Sequence, residues 1–178
     1  MKILVPYYSQ YINVTDPEWQ PRACGIACLK MLLDAKVAQT PSLDEMITQG
    51  DAIGAYGESG WKHDGLVALA KQYGVKLERV EWRQSDDRNS YELNEEGINV
   101  ILRQLEAGSP VIVSAIKNFE VKNKFHMVLI VGVEIEEGIV KGFYYHDSDS
   151  YTETKGAYQF VPFGIFSTAW RRMAIFAK

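Results

Sequence analysis

The sequence predicts an α+β fold in which the helices come first and an antiparallel sheet follows. Up to Gly108 most apolar residues recur at helical spacing, whereas from Pro110 onward they form β-branched and aromatic runs. Helices and strands that are segregated along the chain are typical of α+β proteins, because regular alternation would instead indicate a parallel sheet. With 178 residues, 47% of them hydrophobic, the chain is expected to fold as a single domain over residues 1–178.

Four helices are expected in the first part of the chain. The first begins near Cys24, after a loop over residues 13–22. It is apolar nearly all round, so it should lie in the middle of the molecule. The other three are expected to begin at the capping-box pattern Ser42-Leu-Asp-Glu45, to cover residues 64–73 before Gly74, and to begin at residues 94–96.

The strands are expected mainly in the second part. Residues 4–10 look extended, and residues 75–82 form an early strand that a polar loop over 83–91 follows. Later strands are expected over residues 111–115, 126–135, 139–145, 159–161 and 173–176. The turn Glu136-Glu137-Gly138 joins two of these runs as a hairpin, which requires antiparallel pairing.

Composition and charge exclude several classes of partner. The net charge is −4 and the basic residues are scattered, so no nucleic acid is expected to bind. No apolar run approaches the length of a membrane span, and the opening Met1–Tyr8 lacks the pattern of a signal peptide. We therefore expect a cytoplasmic location, with export as the alternative if a leader has been removed. The oligomeric state stays open.

The chain has two cysteines, Cys24 and Cys28, on the first expected helix. Their four-residue spacing on a helix is poorly suited to a disulfide, so a reducing compartment is the default. C-x3-C is not the C-x-x-C spacing of redox sites, and no second cysteine pair completes a zinc site. We expect no metal and no cofactor.

Cys24 is the candidate nucleophile. A thiol at a helix N-terminus, with an imidazolium nearby, has a lowered pKa and reacts as a thiolate. The alternative is that Cys24 is a small buried hydrophobic residue, as most free cysteines are. Cys28, one turn further into the helix, fits that alternative better.

His126 and Asp147 are the candidate base and its orienting carboxylate. His126 opens one strand, and Asp147 ends the strand that is joined to it by the hairpin. Antiparallel partners run past each other, so the end of one can lie near the start of the next. The alternatives are a structural histidine and a turn aspartate in Asp147-Ser-Asp-Ser150, with Asp149 the nearest substitute for the carboxylate.

An oxyanion on the attacked carbonyl requires hydrogen-bond donors. The backbone N–H of Cys24 is one candidate. A glutamine amide upstream of the cysteine is the second, and both Gln10 and Gln20 are available.

The chain resembles the papain-like cysteine peptidases, in particular the bacteriocin-processing (double-glycine leader) peptidase-like family. The resemblance rests on Val5-Pro-Tyr-Tyr-Ser-Gln10, Cys24-Gly-Ile-Ala-Cys-Leu-Lys-Met31, Gly108-Ser-Pro-Val-Ile-Val113, Phe125-His-Met-Val-Leu-Ile-Val-Gly132 and Tyr145-His-Asp147. It implies a papain-like fold with the nucleophile helix packed on an antiparallel sheet. It also implies Cys24, His126 and Asp147 as the triad, with Gln10 preferred over Gln20 for the oxyanion. Many members have a proline after the triad aspartate, where this chain has Ser148.

Together these features predict a cysteine peptidase, or a related thiol-dependent amide hydrolase, that acts through a covalent thioester on a peptide or amide-bearing substrate. The alternatives are an acyl or peptidyl transferase of the same fold and a catalytically silent peptide-binding domain. The cleft walls are expected from residues 13–22, 54–61 and 116–125. The substrate-binding candidates on these walls are Trp19, Trp61 and Phe119, with core or surface packing as the alternative for each. Lysines 117, 122 and 124 would suit an acidic or carboxylate-bearing ligand, but an ordinary solvated loop is the preferred interpretation.

Overall fold

The computed structural model describes residues 1–83, 89–120 and 122–178. Its elements, in chain order, are α1 (Cys24–Asp34), α2 (Leu43–Ala52), β1 (Tyr56–Gly57), β2 (Gly60–Trp61), α3 (His63–Gln72), β3 (Leu77–Glu81), α4 (Ser90–Glu106), β4 (Val111–Ile116), β5 (Phe125–Glu136), β6 (Ile139–His146), β7 (Gln159–Pro162), α5 (Phe163–Ala169) and β8 (Trp170–Ala177). Single 3-10 turns lie at Gln20–Arg22 and Lys117–Phe119. The α+β class is confirmed.

The main sheet has six strands in the order β3-β8-β4-β5-β6-β7, and every pairing in it is antiparallel. At the centre, β5 pairs with β4 on one side and β6 on the other. His126 lies opposite Ala115 of β4, and Leu129 lies opposite His146 of β6. The expected hairpin is confirmed, with Glu137 and Gly138 both at positive φ in its turn.

Helices cover both faces of the sheet. Along β5, Leu129 and Val131 contact the core formed with α1, α2 and α3, whereas Val128 and Ile130 contact the core formed with α4 and α5. A strand that is buried on both faces requires apolar residues at successive positions. This explains why the run from Met127 to Val131 is continuously apolar instead of alternating with polar residues.

Helix α1 is the central helix, as its composition predicts. Every residue from Gly25 to Leu33 is buried. A side chain at Gly25 would place its Cβ 3.0 Å from the Cβ of Trp61 and 3.2 Å from the sulfur of Met127. The glycine therefore lets the start of α1 approach both the β1–β2 hairpin and β5.

The fourth helix begins earlier than the sequence predicts. Asn89 caps α4 by accepting hydrogen bonds from the backbone N–H groups of Tyr91 and Glu92, and Glu92 completes a capping box. The prediction of a start at residues 94–96 was wrong because the acidic run there lies inside the helix. Of the loop expected over 83–91, residues 84–88 lie outside the described part of the chain.

Three other expectations need correction. Residues 4–10 do not form a strand, and only Lys2 makes an isolated β-bridge, with Gly132. The early strand covers Leu77–Glu81 and is shorter than expected. The short elements α5, β1 and β2 were not predicted, because two to seven residues are too few for a periodic pattern.

Candidate active site

Cys24 is the first residue of α1, where the sequence predicts it. It is a free, half-buried thiol. Its N-cap residue, Ala23, supplies no side-chain hydrogen bond, so the N–H groups of the first turn are not capped by a side chain. The N–H of Cys24 is therefore available to a negatively charged oxygen beside the thiol.

His126 is the second residue of the long central strand β5, and its imidazole is 2.6 Å from Asp147, measured from Nε2 to Oδ1. Because Nε2 is engaged in this way, Nδ1 is the ring nitrogen left to hydrogen-bond the thiol of Cys24. His126 is buried with 7% of its surface exposed, so little water competes for these contacts. The structure thus brings Cys24, His126 and Asp147 together in that order.

Asp147 is fixed by the backbone that surrounds it. Its Oδ1 also accepts a hydrogen bond from the N–H of Asp149 at 2.9 Å, and its own N–H donates to the carbonyl of Gly156 at 2.8 Å. Its carbonyl accepts a hydrogen bond from the Tyr7 hydroxyl at 2.8 Å. Asp149 itself forms an ion pair with Lys117 and so belongs to a different contact.

The electrostatics favour a thiolate–imidazolium pair. Burial opposes ionisation of Cys24, but the hydrogen bond and positive charge of His126, together with the backbone of Met127, leave its pKa lowered. Burial alone would lower the pKa of His126, but hydrogen bonds to Asp147 and Cys24 raise it well above the usual range. Burial would raise the pKa of Asp147, and the contact with His126 lowers it overall.

Gln10 lines the same cleft as Cys24. A tight turn presents it, in which the Ser9 hydroxyl accepts hydrogen bonds from the N–H groups of Tyr11 and Ile12. One amide hydrogen of Gln10 is donated to the carbonyl of Gln20 at 2.8 Å, and its Oε1 accepts a hydrogen bond from Ser148 at 2.9 Å. The second amide hydrogen stays free of these two bonds.

Gln20 has a different position. Its amide donates to the carbonyl of Val14 at 2.9 Å, which closes the loop before α1. Its side chain is not among the groups that line the cleft. The structure therefore brings Gln10 to the cleft that Cys24 lines, whereas Gln20 contributes only a backbone carbonyl that binds the Gln10 amide.

The cleft has a volume of about 340 Å³, and the three expected wall segments border it. Trp61 lines it directly together with Tyr11 and Tyr56. Trp19 does not line it and packs behind, with its ring centroid 4.9 Å from that of Tyr56.

Phe119 also lies away from the cleft. Although it belongs to one of the wall segments, its ring packs on Tyr145 at 5.0 Å and on Phe166 at 6.2 Å. It therefore joins the core under α4 and α5. Of the three substrate-binding candidates, the structure brings only Trp61 to the cleft.

Comparison with known proteins gives the family. The sequence model of the Peptidase_C39-like family matches residues 2–176, nearly the whole chain. The chain belongs to the Peptidase_C39-like family. This membership confirms the resemblance to bacteriocin-processing peptidases and the prediction of a cysteine peptidase, with the substrate unspecified. No curated protein sequence matches the chain significantly.

Solved structures agree with this C39-like assignment at the level of the fold. A protein from Bacillus anthracis assigned as a C39-like peptidase has a TM-score of 0.68 at 18% identity, over 99% of this chain and 96% of that one. A double-glycine-motif protease of an AMS/PCAT transporter, solved in complex with the leader peptide, has a TM-score of 0.60 at 17% identity. The match covers 99% of this chain and 93% of that one. The peptidase domain of Streptococcus ComA, a bifunctional ABC transporter of a quorum-sensing pathway, has a TM-score of 0.59 at 16% identity. The match covers 99% of this chain and 98% of that one. The papain-like peptidase fold is confirmed.

Three further observations on this C39-like protein concern metal ligands, membrane-spanning helices and the second cysteine. Among residues 1–83, 89–120 and 122–178, no three His, Cys, Asp or Glu side chains are grouped so that they could hold a metal ion. In the same residues, no helix combines the length and the apolar character needed to cross a bilayer. Cys28 is buried, and its sulfur contacts the carbonyl of Met127 at 3.5 Å.

Sequence reasoning missed two residues at the site of this C39-like protein. Ser148, read as a turn residue, is fully buried and hydrogen-bonds Gln10. Arg171, from the far end of the chain, lines the cleft. The only sequence signal for Ser148 was its position directly after Asp147, and no local pattern pointed to Arg171.

Proposed function

We propose that this C39-like protein cleaves peptide bonds through a covalent thioester on Cys24, with His126 as the acid–base and Asp147 as its orienting carboxylate. The observation that carries the proposal is the hydrogen-bonded series Cys24, His126 and Asp147 at a cleft that a peptide could enter. The family supports peptide hydrolysis as the reaction class. A peptide substrate also agrees with the neighbour that was solved with its leader peptide.

The proposed reaction has two halves. The Cys24 thiolate attacks the scissile carbonyl, and the resulting oxyanion accepts hydrogen bonds from the Cys24 N–H and the free amide hydrogen of Gln10. The His126 imidazolium donates its proton to the departing amine, which leaves a thioester and a neutral imidazole. That imidazole then takes a proton from water as the water oxygen attacks the thioester carbonyl. The C–S bond breaks and the peptide acid leaves, which restores the Cys24 thiolate and the His126 imidazolium.

The first test is the pH dependence of iodoacetamide labelling at Cys24, located by peptide mass. Wild-type protein should label rapidly near pH 6, because His126 lowers the pKa of the thiol. His126→Ala should be labelled about tenfold more slowly at that pH, or slower still. Its labelling rate should recover as the pH approaches the pKa of an ordinary thiol. Cys28 is the internal control, since it is buried and its pKa is raised. Equal, slow labelling of Cys24 in both proteins would leave the silent binding domain as the better hypothesis.

The second test is turnover on a peptide library with mapped cut sites. Cys24→Ala should abolish cleavage, and retained cleavage would contradict the proposal. An acyl adduct on Cys24, detected by mass after rapid acid quenching, would support the thioester. Transfer of the acyl group to an added amine instead of water would indicate the transferase. The transferase and the peptidase would use the same residues in the first half of the reaction and differ only in what attacks the thioester.

A further inference from the structure

The wall of the cleft is positively charged in a protein whose net charge is −4. Apart from the Cys24–His126 pair, its charged lining residues are the basic Arg22, Lys117, Lys124 and Arg171 and the acidic Glu58 and Asp149. His63 also lines the cleft, but burial and the nearby Arg171 lower its pKa, which favours the neutral imidazole. Lys117 and Asp149 neutralise each other in an ion pair. The described part of the chain shows no ion pair for the other three cations.

Arg171 is held in place by an aromatic ring instead of a carboxylate. Its guanidinium carbon lies 3.6 Å from the centroid of Phe125, a ring that is 57% exposed. A guanidinium stacked on a ring keeps its N–H groups in the stacking plane, where they remain free to bind a carboxylate through two parallel hydrogen bonds. The stack therefore orients a cation without using up its hydrogen bonds.

The position of Arg171 is set by the strand order. Ala115 of β4 lies opposite His126 of β5 on one side and opposite Trp170 of β8 on the other. Adjacent strands are about 4.8 Å apart, so the backbone of Trp170, just before Arg171, is about 10 Å from that of His126. An extended peptide covers that distance in about three residues.

Lys124 adds a second unpaired cation at the same place. It directly precedes Phe125, and its backbone carbonyl accepts a hydrogen bond from the N–H of Lys117 at 2.8 Å. That bond closes the base of the loop and holds Lys124 at the start of β5. We call Lys124, Phe125 and Arg171 the cationic subsite.

We propose that the cationic subsite binds a carboxylate of the peptide substrate, supplied by an aspartate or glutamate side chain within about three residues of the scissile bond. This inference rests on the proposed function, since it concerns the substrate of that same cleft. A carboxylate at the end of a peptide chain has the same chemistry, and the experiment separates the two sources.

The experiment uses N-acetylated peptidyl vinyl sulfones, which alkylate a cysteine nucleophile without requiring turnover. Nine reagents are needed: each carries Glu, Gln or Lys at one of the three positions before the reactive group, with glycine or alanine at the other two. At one position the Glu reagent should inactivate wild-type protein on the order of tenfold faster than the Gln reagent. The advantage should shrink as salt is raised, because the subsite is exposed.

Charge exchange makes the test specific. Arg171→Gln should remove the preference for Glu, and Arg171→Glu should reverse it in favour of the Lys reagent. Arg103→Gln, an exposed arginine of α4 on the other face of the sheet, is the matched control and should keep the wild-type preference. A chain-terminal carboxylate is tested separately, by comparing how well the Gln peptide as free acid and as amide protects Cys24 from iodoacetamide.

The outcomes are separable. Equal rates for Glu and Gln at every position, with rapid iodoacetamide labelling of Cys24, would overturn the subsite and leave the proposed function standing. Protection by the free acid alone would overturn the side-chain source and assign the subsite to a chain terminus. Slow reaction with every reagent, iodoacetamide included, would overturn the proposed function and with it the subsite.

Discussion

Ser148 links the two polar parts of the candidate site at the scale of single residues. Its hydroxyl donates to Oε1 of Gln10 at 2.9 Å, and its carbonyl accepts a hydrogen bond from the Gln10 N–H at 2.9 Å. The amide nitrogen of Gln10 is bound to the carbonyl of Gln20. With both ends of the amide engaged, a flip of the Gln10 side chain would break two hydrogen bonds, one of them buried.

Ser148→Ala should therefore lower kcat without changing the reactivity of the thiol. The substitution removes one anchor of the Gln10 amide, and we expect a loss of about tenfold. Gln10→Ala, which removes the donor itself, should cost about a hundredfold or more. Peptide turnover measures the loss. The pH profile of iodoacetamide labelling should stay that of the wild type, because Cys24, His126 and Asp147 are untouched. Wild-type kcat in Ser148→Ala would show that Gln10 needs no anchor.

The sequence located single residues correctly where they lie near the start of a long helix or strand. Cys24 is the first residue of α1 and His126 the second of β5, and both elements are strongly patterned, so these positions could be predicted to within one residue. Ser148 could not be assigned a partner, because Gln10 lies 138 positions away and only the folded chain brings them together. Phe119 was placed on the cleft for the same reason, since nothing local shows which way a loop aromatic points.

At the scale of elements, the segment after β6 folds back closely on Asp147. The Asp147 N–H donates to the carbonyl of Gly156 at 2.8 Å. A Cβ at Gly156 would lie 2.0 Å from the carbonyl oxygen of Asp147 and 2.1 Å from the hydroxyl oxygen of Tyr7. Contacts of that length are impossible, so any larger residue must displace the backbone that carries Asp147.

Gly156→Ala should reduce both stability and catalysis. Overpacking of this kind costs about 1–3 kcal/mol in the free energy of unfolding, and displacement of Asp147 should slow peptide turnover at least tenfold. Urea denaturation and turnover measure the two effects. The matched control is Gly164→Ala in α5, where a Cβ has nothing within 4 Å. That variant should be as stable as the wild type or more so, because alanine favours a helix. Unchanged stability and rate in Gly156→Ala would contradict the close packing.

Long elements could be predicted from sequence and short ones could not. The apolar pattern of α1 and the two-sided burial of β5 leave clear signals over eleven and twelve residues. Helix α5, seven residues of the sequence Phe-Gly-Ile-Phe-Ser-Thr-Ala, has a β-branched and aromatic composition that locally favours a strand. Its packing against β6 and β7 decides the outcome, and packing is not readable from seven residues.

At the scale of the whole molecule, the candidate site is assembled from four distant parts of the chain. The turn before the loop at 13–22 supplies Gln10, α1 supplies Cys24, β5 supplies His126 and the end of β6 supplies Asp147. These parts meet where the helical layer of α1 joins the sheet. The geometry of the site therefore depends on the global fold, and conditions that loosen the sheet against α1 should inactivate the thiol as well.

His146 is a buried titratable group outside the proposed chemistry, directly before Asp147. Its side chain is fully buried between Tyr7 and Tyr158, with ring centroids 5.6 Å and 4.5 Å away. Burial lowers its pKa from 6.5 to about 4, and the nearby Pro6 carbonyl only partly opposes this shift. Within the described residues, neither ring nitrogen has a hydrogen-bond partner of normal geometry. The folded protein therefore holds the neutral imidazole.

Acid should destabilise the protein through His146. The unfolded chain takes up this proton as the pH falls below 6.5, whereas the folded chain does so only near pH 4. The stability that comes from burying the neutral imidazole is therefore fully present above pH 6.5 and is lost as the pH falls from 6.5 to about 4. At pH 5 the loss should be about 2 kcal/mol. Urea denaturation at pH 7 and pH 5 of the wild type, His146→Phe and His146→Asn measures it. Asp147 and His126 titrate in all three proteins, so their effect is common to all of them. Between pH 7 and pH 5 each variant should therefore lose about 2 kcal/mol less stability than the wild type, whatever its stability at pH 7. Equal losses in all three would mean that His146 is already charged, or solvated, in the folded protein.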